Sequence, residues 1–465
     1  MSVTADNRLS ERGSWAQRAL GAGAFCVQLD SFALNPALPV VRAELPGDAA
    51  AAPWVVSGYL LAAGALMPLA GRLADLYGRR RMLALGAALF GVGSALCGLA
   101  PSLSFLVAAR VVQGAGGALI MPAGLALLTN ACPPGRARRA TGRALGLAGL
   151  ATVCGPFLGG ALAQSASWRA VFWLTVPLAG VTVWCARRAD ESRDAAAAGQ
   201  PLDVTGAVTG TGALVCLARW LEHAAGVGWL VGAVLLGGLF VRAERRAPAP
   251  LVDLALFRNL PYVTLTAAGA VANAATVALL YVLPWTWQQG RGWPVLAAGV
   301  AFLAPAAALA VGGPVAGRVR SGAAVAVMAV CLAVAGGGLW ATGVVAGAPG
   351  LLVASTGAAA ALGVAGGLAL TGTQAVVRRE RAGAASGLTK SVLTMTAGLG
   401  LGFALTGAEA GAGLASSATA GASGGGLPSL VVPAVGCVVG AGLTVMVAGW
   451  GWFRRERERG RGVGG

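Results

Sequence analysis

The sequence predicts an all-α integral membrane protein with fourteen transmembrane helices, and three observations predict it. Of the 465 residues, 57% are hydrophobic and only 11% charged, whereas soluble domains carry about 25% charged residues. Too little polar surface remains to cover a water-soluble globule of this size. The apolar residues also fall in continuous runs of the roughly 20 residues that a helix needs to cross about 30 Å of hydrocarbon. They lack the alternating polarity of the roughly ten-residue strands of a closed barrel. Finally, the basic residues cluster at every second helix end, as expected of a multi-pass protein.

The runs lie near residues 17–39, 53–74, 82–100, 103–129, 141–163, 168–186, 204–221, 226–243, 260–284, 295–316, 323–346, 350–373, 384–407 and 429–452. Between them the arginines alternate in density. One side carries Arg8, Arg12 and Arg18; Arg79 to Arg81; Arg136, Arg138, Arg139 and Arg143; Arg187, Arg188 and Arg193; and Arg242, Arg245 and Arg246. It continues with Arg318 and Arg320, then Arg378, Arg379 and Arg381, then Arg454 to Arg461. The opposite loops hold little beyond Arg42, Arg169 and Arg291. An excess of Lys and Arg marks the cytoplasmic side, so both termini are expected in the cytoplasm of a plasma-membrane protein, and the number of spans must be even. The net charge of +17 is then topological, its partner the lipid bilayer, and nucleic-acid binding is excluded. The eight cysteines are scattered singly and one His cannot build a metal site with them; they read as small buried hydrophobes. The first run is too long, and lacks a cleavage pattern, for a removed signal peptide.

A weak repeat organises the chain. Gly313-Pro314-Val315-Ala316-Gly317-Arg318-Val319-Arg320 follows the tenth run as the charged turn Gly71-Arg72-Leu73-Ala74-Asp75-Leu76-Tyr77-Gly78-Arg79-Arg80-Arg81 follows the second. Two halves of six helices with an inserted pair satisfy that spacing, as in transporters built from repeats. The expected parts are a six-helix bundle over 1–186, a mobile cytoplasmic linker over 187–203, and the inserted helices 7 and 8 over 204–243. A second six-helix bundle spans 260–453, with a flexible Gly/Ala/Ser-rich connector near 408–428, and a basic tail covers 454–465. No soluble domain is large enough to bind a nucleotide and no G-x-x-x-x-G-K-[ST] occurs, which excludes direct drive by ATP. No H-E-x-x-H occurs either, and His223 falls in an outer loop, so an enzyme is not expected.

Polar residues inside the runs are the candidates for chemistry, because an ionisable group in the bilayer is costly. Asp30 is the one carboxylate deep in a run. An acid taken out of water can take up a proton near neutrality, so Asp30 is either a proton carrier or a structural group, held in a permanent ion pair or as a hydrogen-bond anchor. Arg110 is a cation inside the fourth run. At about 1.5 Å per residue, Arg110 lies about 10 Å and Asp30 about 15 Å from the outer surface, so the two can sense one another. The fifth run carries Gly149 and Gly155-Pro156-Phe157-Leu158-Gly159-Gly160, where glycines permit close helix approach and the proline removes a backbone donor. Polar and aromatic residues at similar depth are candidates for a substrate pocket: Gln28, Asn35, Gln113, Asn273, Thr276, Tyr281, Trp285 and Gln288. Trp285 and its neighbour Trp287 have a second reading as interfacial anchors. Arg219 and Glu222, three apart on a helix, read as a structural pair.

The charged turn 71–81 matches at every fixed position the G-x-L-a-D-x-x-G-r-r/k-r/k turn between helices 2 and 3 of major facilitator superfamily transporters, which it resembles. Leu29-Asp30 through Asn35-Pro36-Ala37-Leu38-Pro39 in helix 1, Arg110-Val111-Val112-Gln113-Gly114 in helix 4 and the Gly-Pro-x-x-Gly-Gly of helix 5 resemble its fourteen-helix drug:proton antiporter branch. Trp168-Arg169-Ala170-Val171-Phe172 with Pro177 resembles that branch's sixth helix. The resemblance covers essentially the whole chain in order. It implies the major facilitator fold of two six-helix bundles plus two inserted helices. It also implies a monomer that exports small lipophilic molecules by alternating access, with the proton as coupling ion and no other cofactor. Proton coupling falls to Asp30 and Arg110. Gating falls to Gly71, Asp75, Gly78, Arg79, Arg80, Gly155, Pro156, Gly159 and Gly160, with Asp75 bridging to a neighbouring element or capping a helix with help from Arg79 and Arg80. Thr175 replaces the family's usual Asn, Ala151 an earlier glycine of the helix 5 motif, and Leu393-Thr394 an Arg of helix 13. Few acids lie in the second half (Glu409 stands near an outer helix end, Asp253 and Glu380 in cytoplasmic segments), which points to neutral, weakly basic or monocationic substrates. The alternatives are export of an endogenous metabolite or lipid, and a non-transporting sensor or scaffold; the intact Asp30, Arg110 and Gly155-Pro156 constellation argues against the latter.

Overall fold

The computed structural model describes residues 2–48, 51–132, 134–193, 201–222, 226–248, 250–252, 254–285, 287–288, 292–345, 347–377, 385, 387–398 and 435–442. Every long element among them is helical. In chain order these are α1 (Ser2–Glu44), α2 (Trp54–Tyr77), α3 (Arg79–Gly98), α4 (Leu103–Ala131), α5 (Pro134–Ser165) and α6 (Arg169–Arg188). They continue with α7 (Val204–Glu222), α8 (Val227–Arg246), α9 (Leu260–Trp285), α10 (Val295–Ala316), α11 (Ala324–Val344) and α12 (Ala348–Ala375). Helical segments α13 (387–398) and α14 (435–442) follow. Among the described residues, eleven helices are long and apolar enough to cross a membrane. Helix is what the bilayer demands, since it satisfies every backbone group within one segment. The same setting tolerates prolines inside helices, here Pro36, Pro39, Pro68, Pro122, Pro156, Pro177, Pro284, Pro305 and Pro314.

Two departures from the sequence reading have physical causes. The polar stretch before residue 17 continues α1 instead of preceding it, as residues 2–16 contain neither Gly before Gly13 nor any Pro to break the helix. Residues 189–193, expected in a mobile linker, are held against the start of α3, where Arg79 N donates to Ser192 O at 3.0 Å. The connector 408–428, Glu409, Asp253, Glu380, His223, Arg378, Arg379, Arg381 and the basic tail lie outside the described residues.

The chain divides into two compact units. The first comprises residues 1–252 with 283–303, the second residues 253–282 with 304–465. In the first unit α1 packs on α5, α6 and α4; α3 packs on α4 and α6; and α2 packs on α4. Its core is built from small and medium side chains, among them Ala16, Leu20, Cys26, Leu83, Ala87, Phe90, Ile120 and Ala123. Small residues suit a membrane bundle, where association depends on close packing rather than on exclusion from water. The inserted helices α7 and α8 form a hairpin that touches α2 through α7. Only 6% of the apolar stretch of α8 is buried against protein, so almost all of its apolar surface is left uncovered by the described residues. In the second unit α11 packs on α12, and α9 is joined to α13 by neutral hydrogen bonds. Asn273 Nδ2 donates to Leu393 O at 2.6 Å, Thr389 Oγ1 to Tyr262 OH at 3.3 Å and Tyr262 OH to Ala385 O at 3.3 Å.

Candidate functional site

The first unit encloses a fully buried polar cluster built on the two charges that sequence reasoning paired. Asp30 on α1 is 0% exposed and Arg110 on α4 is 1% exposed. One guanidinium nitrogen, Arg110 Nη1, bridges Asp30 Oδ2 and Gln113 Oε1. Gln113, one turn on from Arg110, donates from Nε2 to Asp30 Oδ1 at 2.9 Å. Asp30 is thus gripped on both oxygens by neighbours on one face of α4, which is what a spacing of three residues on a helix allows. Further hydrogen bonds extend the cluster. Arg110 Nε donates to Val55 O at 2.8 Å, Gln113 Nε2 to Ser94 Oγ at 2.8 Å, and Ser94 Oγ to Phe90 O at 2.8 Å. The Tyr59 ring lies 4.2 Å from the guanidinium carbon of Arg110 and the Phe172 ring 5.8 Å from it, so aromatic faces complete its surroundings.

Close helix approach assembles this cluster. A Cβ at Gly93 on α3 would stand 2.7 Å from Gln113 Cα, so only glycine lets α3 come near enough for Ser94 to reach Gln113. On the other side, a Cβ at Gly155 would stand 2.8 Å from Phe32 Cβ, and one at Gly159 would collide with Ala33 O. These two glycines of α5 seat it on the stretch of α1 just beyond Asp30. Pro156 and Gly160 face residue 299, where an added Cβ would lie 3.1 Å from Pro156 O. Gly149 meets no neighbour within 4 Å. Thr175, in place of the expected Asn, is buried and donates to Phe172 O at 2.7 Å.

In the charged turn Asp75 makes the expected ion pair with the neighbouring helix, while a different acid takes the capping position. Asp75 sits in the last turn of α2, and its Oδ1 pairs with Arg79 Nη2 at 2.8 Å. The carboxylate on the exposed amides of α3 is that of Glu191: Arg80 N donates to its Oε1 at 2.9 Å and Arg81 N to its Oε2 at 3.3 Å. An anion there answers both the orphan N–H groups and the positive end of the helix dipole. The side chains of Arg80 and Arg81 stand 3.7 Å from the same carboxylate. Gly78 joins α2 to α3 at φ 111°, a conformation glycine adopts readily, and a Cβ there would lie 2.6 Å from the Glu191 carboxyl carbon. Gly71 makes only ordinary contact with Pro122.

The remaining candidates are dispersed. Gln28 Nε2 donates to Thr152 Oγ1 at 3.4 Å, away from Asp30. Asn35 is buried near the outer end of α1, where the next residue's carbonyl, Pro36 O, accepts from Gln288 Nε2 at 3.0 Å. Asn273 and Thr276 bond backbone carbonyls of the second unit, and Tyr281 is buried. The side chain of Trp285 is outside the described set. Trp287 is 1% exposed and stacks on Trp293 at 6.0 Å, which makes it a packing residue and not an interfacial anchor. Arg219 lies over the rings of Trp54 and Trp229; the side chain of its expected partner, Glu222, is not described. Trp168 Nε1 and Arg169 Nη1 both reach Glu44 Oε2, at 2.8 and 3.4 Å, so the Trp-Arg pair ties the start of α6 to the end of α1.

Ser94, Tyr59, the Val55 carbonyl and Glu191 were missed by sequence reasoning. The first three stand in apolar runs without a charge to draw notice. Glu191 stands in a polar linker, where an acid is commonplace.

Comparison with known proteins gives a consistent answer. The chain is 32% identical over 317 residues to the tetracenomycin C resistance and export protein of Streptomyces glaucescens, covering 65% of this chain and 58% of that one. It is 31% identical over 309 residues to the lincomycin resistance protein of Streptomyces lincolnensis, 64% of each chain. It is 31% identical over 331 residues to the multidrug resistance protein Stp of Mycobacterium tuberculosis, 68% of this chain and 61% of that one. The chain thus spans about three fifths of the length of these relatives. In fold it resembles a bacterial homologue of the human lysosomal transporter Spinster, with TM-score 0.63 at 18% identity over 94% of this chain and 97% of that one. It also resembles the human organic anion transporter MFSD10 (TETRAN), with TM-score 0.62 at 16% identity over 94% and 99%. The sequence profile of the Major Facilitator Superfamily matches residues 20–401, and with the multi-pass helical architecture this match makes the chain a member of that superfamily of membrane transporters, not an enzyme.

Proposed function

We propose that the protein is a proton-coupled secondary transporter of the plasma membrane that exports a small lipophilic compound, such as an antibiotic or other secondary metabolite, by alternating access. The observation that carries this reading is the buried Asp30–Arg110–Gln113 cluster. Two opposite charges taken out of water are costly even when paired, and a bundle of alanines and glycines has no structural need of them. The names of the relatives support the substrate class. The absence of Asp and Glu among the described residues of the second unit favours neutral, weakly basic or monocationic compounds over dications.

In the paired state the cluster is neutral. A proton from outside that binds Asp30 removes its negative charge and leaves Arg110 as an uncompensated cation. Arg110 then keeps the Gln113 and Val55 oxygens, and α1 loses its ionic tie to α4. The added positive charge drives off a cationic or weakly basic substrate, and the loosened α1 slides along the glycine seam of α5 toward the inward-facing state. There the proton leaves Asp30 for the cytoplasm and the ion pair re-forms. In this scheme Asp75, Gly78, Arg79 and Arg80 gate the cytoplasmic side, Gly155, Pro156, Gly159 and Gly160 form the sliding seam, and both termini are cytoplasmic. The protein works as a monomer, with the proton as its coupling ion.

The test is proton release in inside-out vesicles held under a respiratory pH gradient and challenged with a panel of lipophilic antibiotics and dyes. Wild type is expected to dissipate the gradient on addition of a substrate, and Asp30→Asn to leave it intact at equal expression. Equal dissipation by Asp30→Asn, or an export rate indifferent to the gradient, would overturn proton coupling through Asp30.

A further inference from the structure

Where α6 ends beside the first turns of α1, two arginines and two tryptophans interlock in a way that this transport scheme does not use. Trp15 and Arg18 are three apart on α1, and Trp184 and Arg188 four apart on α6, so each pair shares one helix face. The two helices come close nearby: a Cβ at Gly23 would stand 3.1 Å from Thr182 Cγ2. The indoles meet edge to face, with centroids 5.1 Å apart and planes at 86°, and Trp15 packs on the core of the first unit. The guanidinium carbon of Arg18 lies 4.7 Å from the Trp15 ring centroid. That of Arg188 lies 5.0 Å from the same centroid and 4.0 Å from the centroid of Trp184. Both arginines are exposed. Among the described residues neither is ion-paired with a carboxylate, and Glu191, just beyond Arg188, is committed to the start of α3.

Two cations gathered on one ring repel each other, and an exposed indole face attracts each of them only weakly. An oxyanion resolves that repulsion. A guanidinium seated over an aromatic ring keeps its fork of N–H donors for such a partner, and phosphate is the oxyanion that fork fits with two parallel bonds. The place of the cluster identifies the source of the phosphate. The apolar stretch of α1 runs from Gly13 to Glu44, well beyond the roughly 20 residues that cross the hydrocarbon, and Arg188 is the last residue of α6. The cluster therefore stands at headgroup level, where tryptophans are enriched. The arginine distribution marks this side as cytoplasmic, the side whose leaflet carries anionic lipids. An apolar strip also leads away from it along α6, where Trp173, Val181 and Trp184 are exposed at helical spacing. Acyl chains can cover that strip, and a free phosphate cannot. We propose that Arg18 and Arg188, held in place by Trp15 and Trp184, bind the phosphate of an anionic phospholipid headgroup. The unesterified oxygens of the phosphate accept from both guanidiniums, and the acyl chains lie along the exposed strip of α6. The bound headgroup fastens the start of α1, the helix that carries Asp30, to the end of α6.

The experiment is native mass spectrometry of the full chain in detergent, titrated with dioleoyl phosphatidylglycerol or with dioleoyl phosphatidylcholine. A third titration repeats the first in millimolar inorganic phosphate. Wild type is expected to take up its first phosphatidylglycerol about tenfold more tightly than phosphatidylcholine, because each arginine at the surface adds to the preference for an anionic lipid. The double variant R18Q/R188Q is expected to lose that preference. R242Q/R245Q, which removes the same charge from α8, is expected to keep it. If R18Q/R188Q does not fold, the single variants R18Q and R188Q replace it, each expected to lose part of the preference. Equal affinity of wild type for the two lipids would overturn the proposal, as would an unchanged preference in R18Q/R188Q or in either single variant. An equal loss in R242Q/R245Q would overturn it in favour of a diffuse attraction to the basic surface, and displacement of the lipid by inorganic phosphate would overturn it in favour of a free anion. The readout is lipid binding, not flux, so the result is independent of whether Asp30 couples transport.

Discussion

The two units treat buried polarity in opposite ways. In the first, full charges are sunk to near-zero exposure and held by a network in which Asp30, Arg110, Gln113 and Ser94 each bond a neighbour. In the second, hydroxyls and an amide join α9 to α13, mostly through backbone carbonyls, and no Asp or Glu occurs among its described residues. Neutral bonds of the second kind hold helices together at little cost, because each partner is satisfied whatever the pH. A charged network of the first kind is poised: removing one charge, by mutation or by a proton, leaves the other without compensation. The contrast teaches that, among the described residues, the buried carboxylate–guanidinium pairing lies in the first unit, while α9 and α13 of the second are joined by neutral groups, with Lys390 on α13 as a basic residue beside them.

The largest effect is expected from breaking the charged pair on one side only. Arg110→Met removes the cation and leaves a buried carboxylate, a loss of about 3–5 kcal/mol where a buried partner is deleted. The double variant Asp30→Leu with Arg110→Met removes both charges and is expected to recover most of that loss. Thermal unfolding of the purified proteins in one detergent measures both. A double variant no more stable than Arg110→Met would show that the two residues are not coupled, and the contrast between the units would lose its basis.

The seam beside that pair comes next. Gly159→Val places side-chain atoms where Ala33 O now sits, and overpacking of this sort costs about 1–3 kcal/mol. The same change at Gly149, which meets nothing within 4 Å, is expected to leave the unfolding midpoint within measurement error. Equal midpoints for the two would mean that α5 does not seat on α1 through Gly159.

These residues also show what a sequence can and cannot reveal. Asp30 and Arg110 are legible because a charge in an apolar run is anomalous, and the glycines of α5 because their spacing marks close approach. The helices themselves are legible because the bilayer fixes their length and composition. Ser94 is not legible: a serine in a membrane helix bonds its own backbone, as this one does to Phe90 O, and its second role depends on Gly93 admitting α4. The Val55 carbonyl has no signature in any side chain. Glu191 stands in a polar linker, a place where acids are unremarkable until their partners are brought to them. The pairing of distant polar groups is a product of packing, so it becomes visible only with the fold.

The smallest effect sharpens the comparison from the other side. Thr389→Val removes the hydroxyl that donates to Tyr262 OH and lies 3.3 Å from Thr266 Oγ1, while keeping the shape of the side chain. Hydrogen bonds between membrane helices contribute about 0.6 kcal/mol on average, and Tyr262 keeps Ala385 O as an acceptor, so the loss of stability is expected to be of that order. Because no charge is created or stranded, the pH dependence of the proposed export in vesicles is expected to match wild type, whereas Asp30→Asn is expected to abolish it. A Thr389→Val protein that folds with near-normal stability but exports with an altered pH profile would place a proton-sensitive element in the second unit. The assignment of the proposed proton response to the first unit alone would then have to be abandoned.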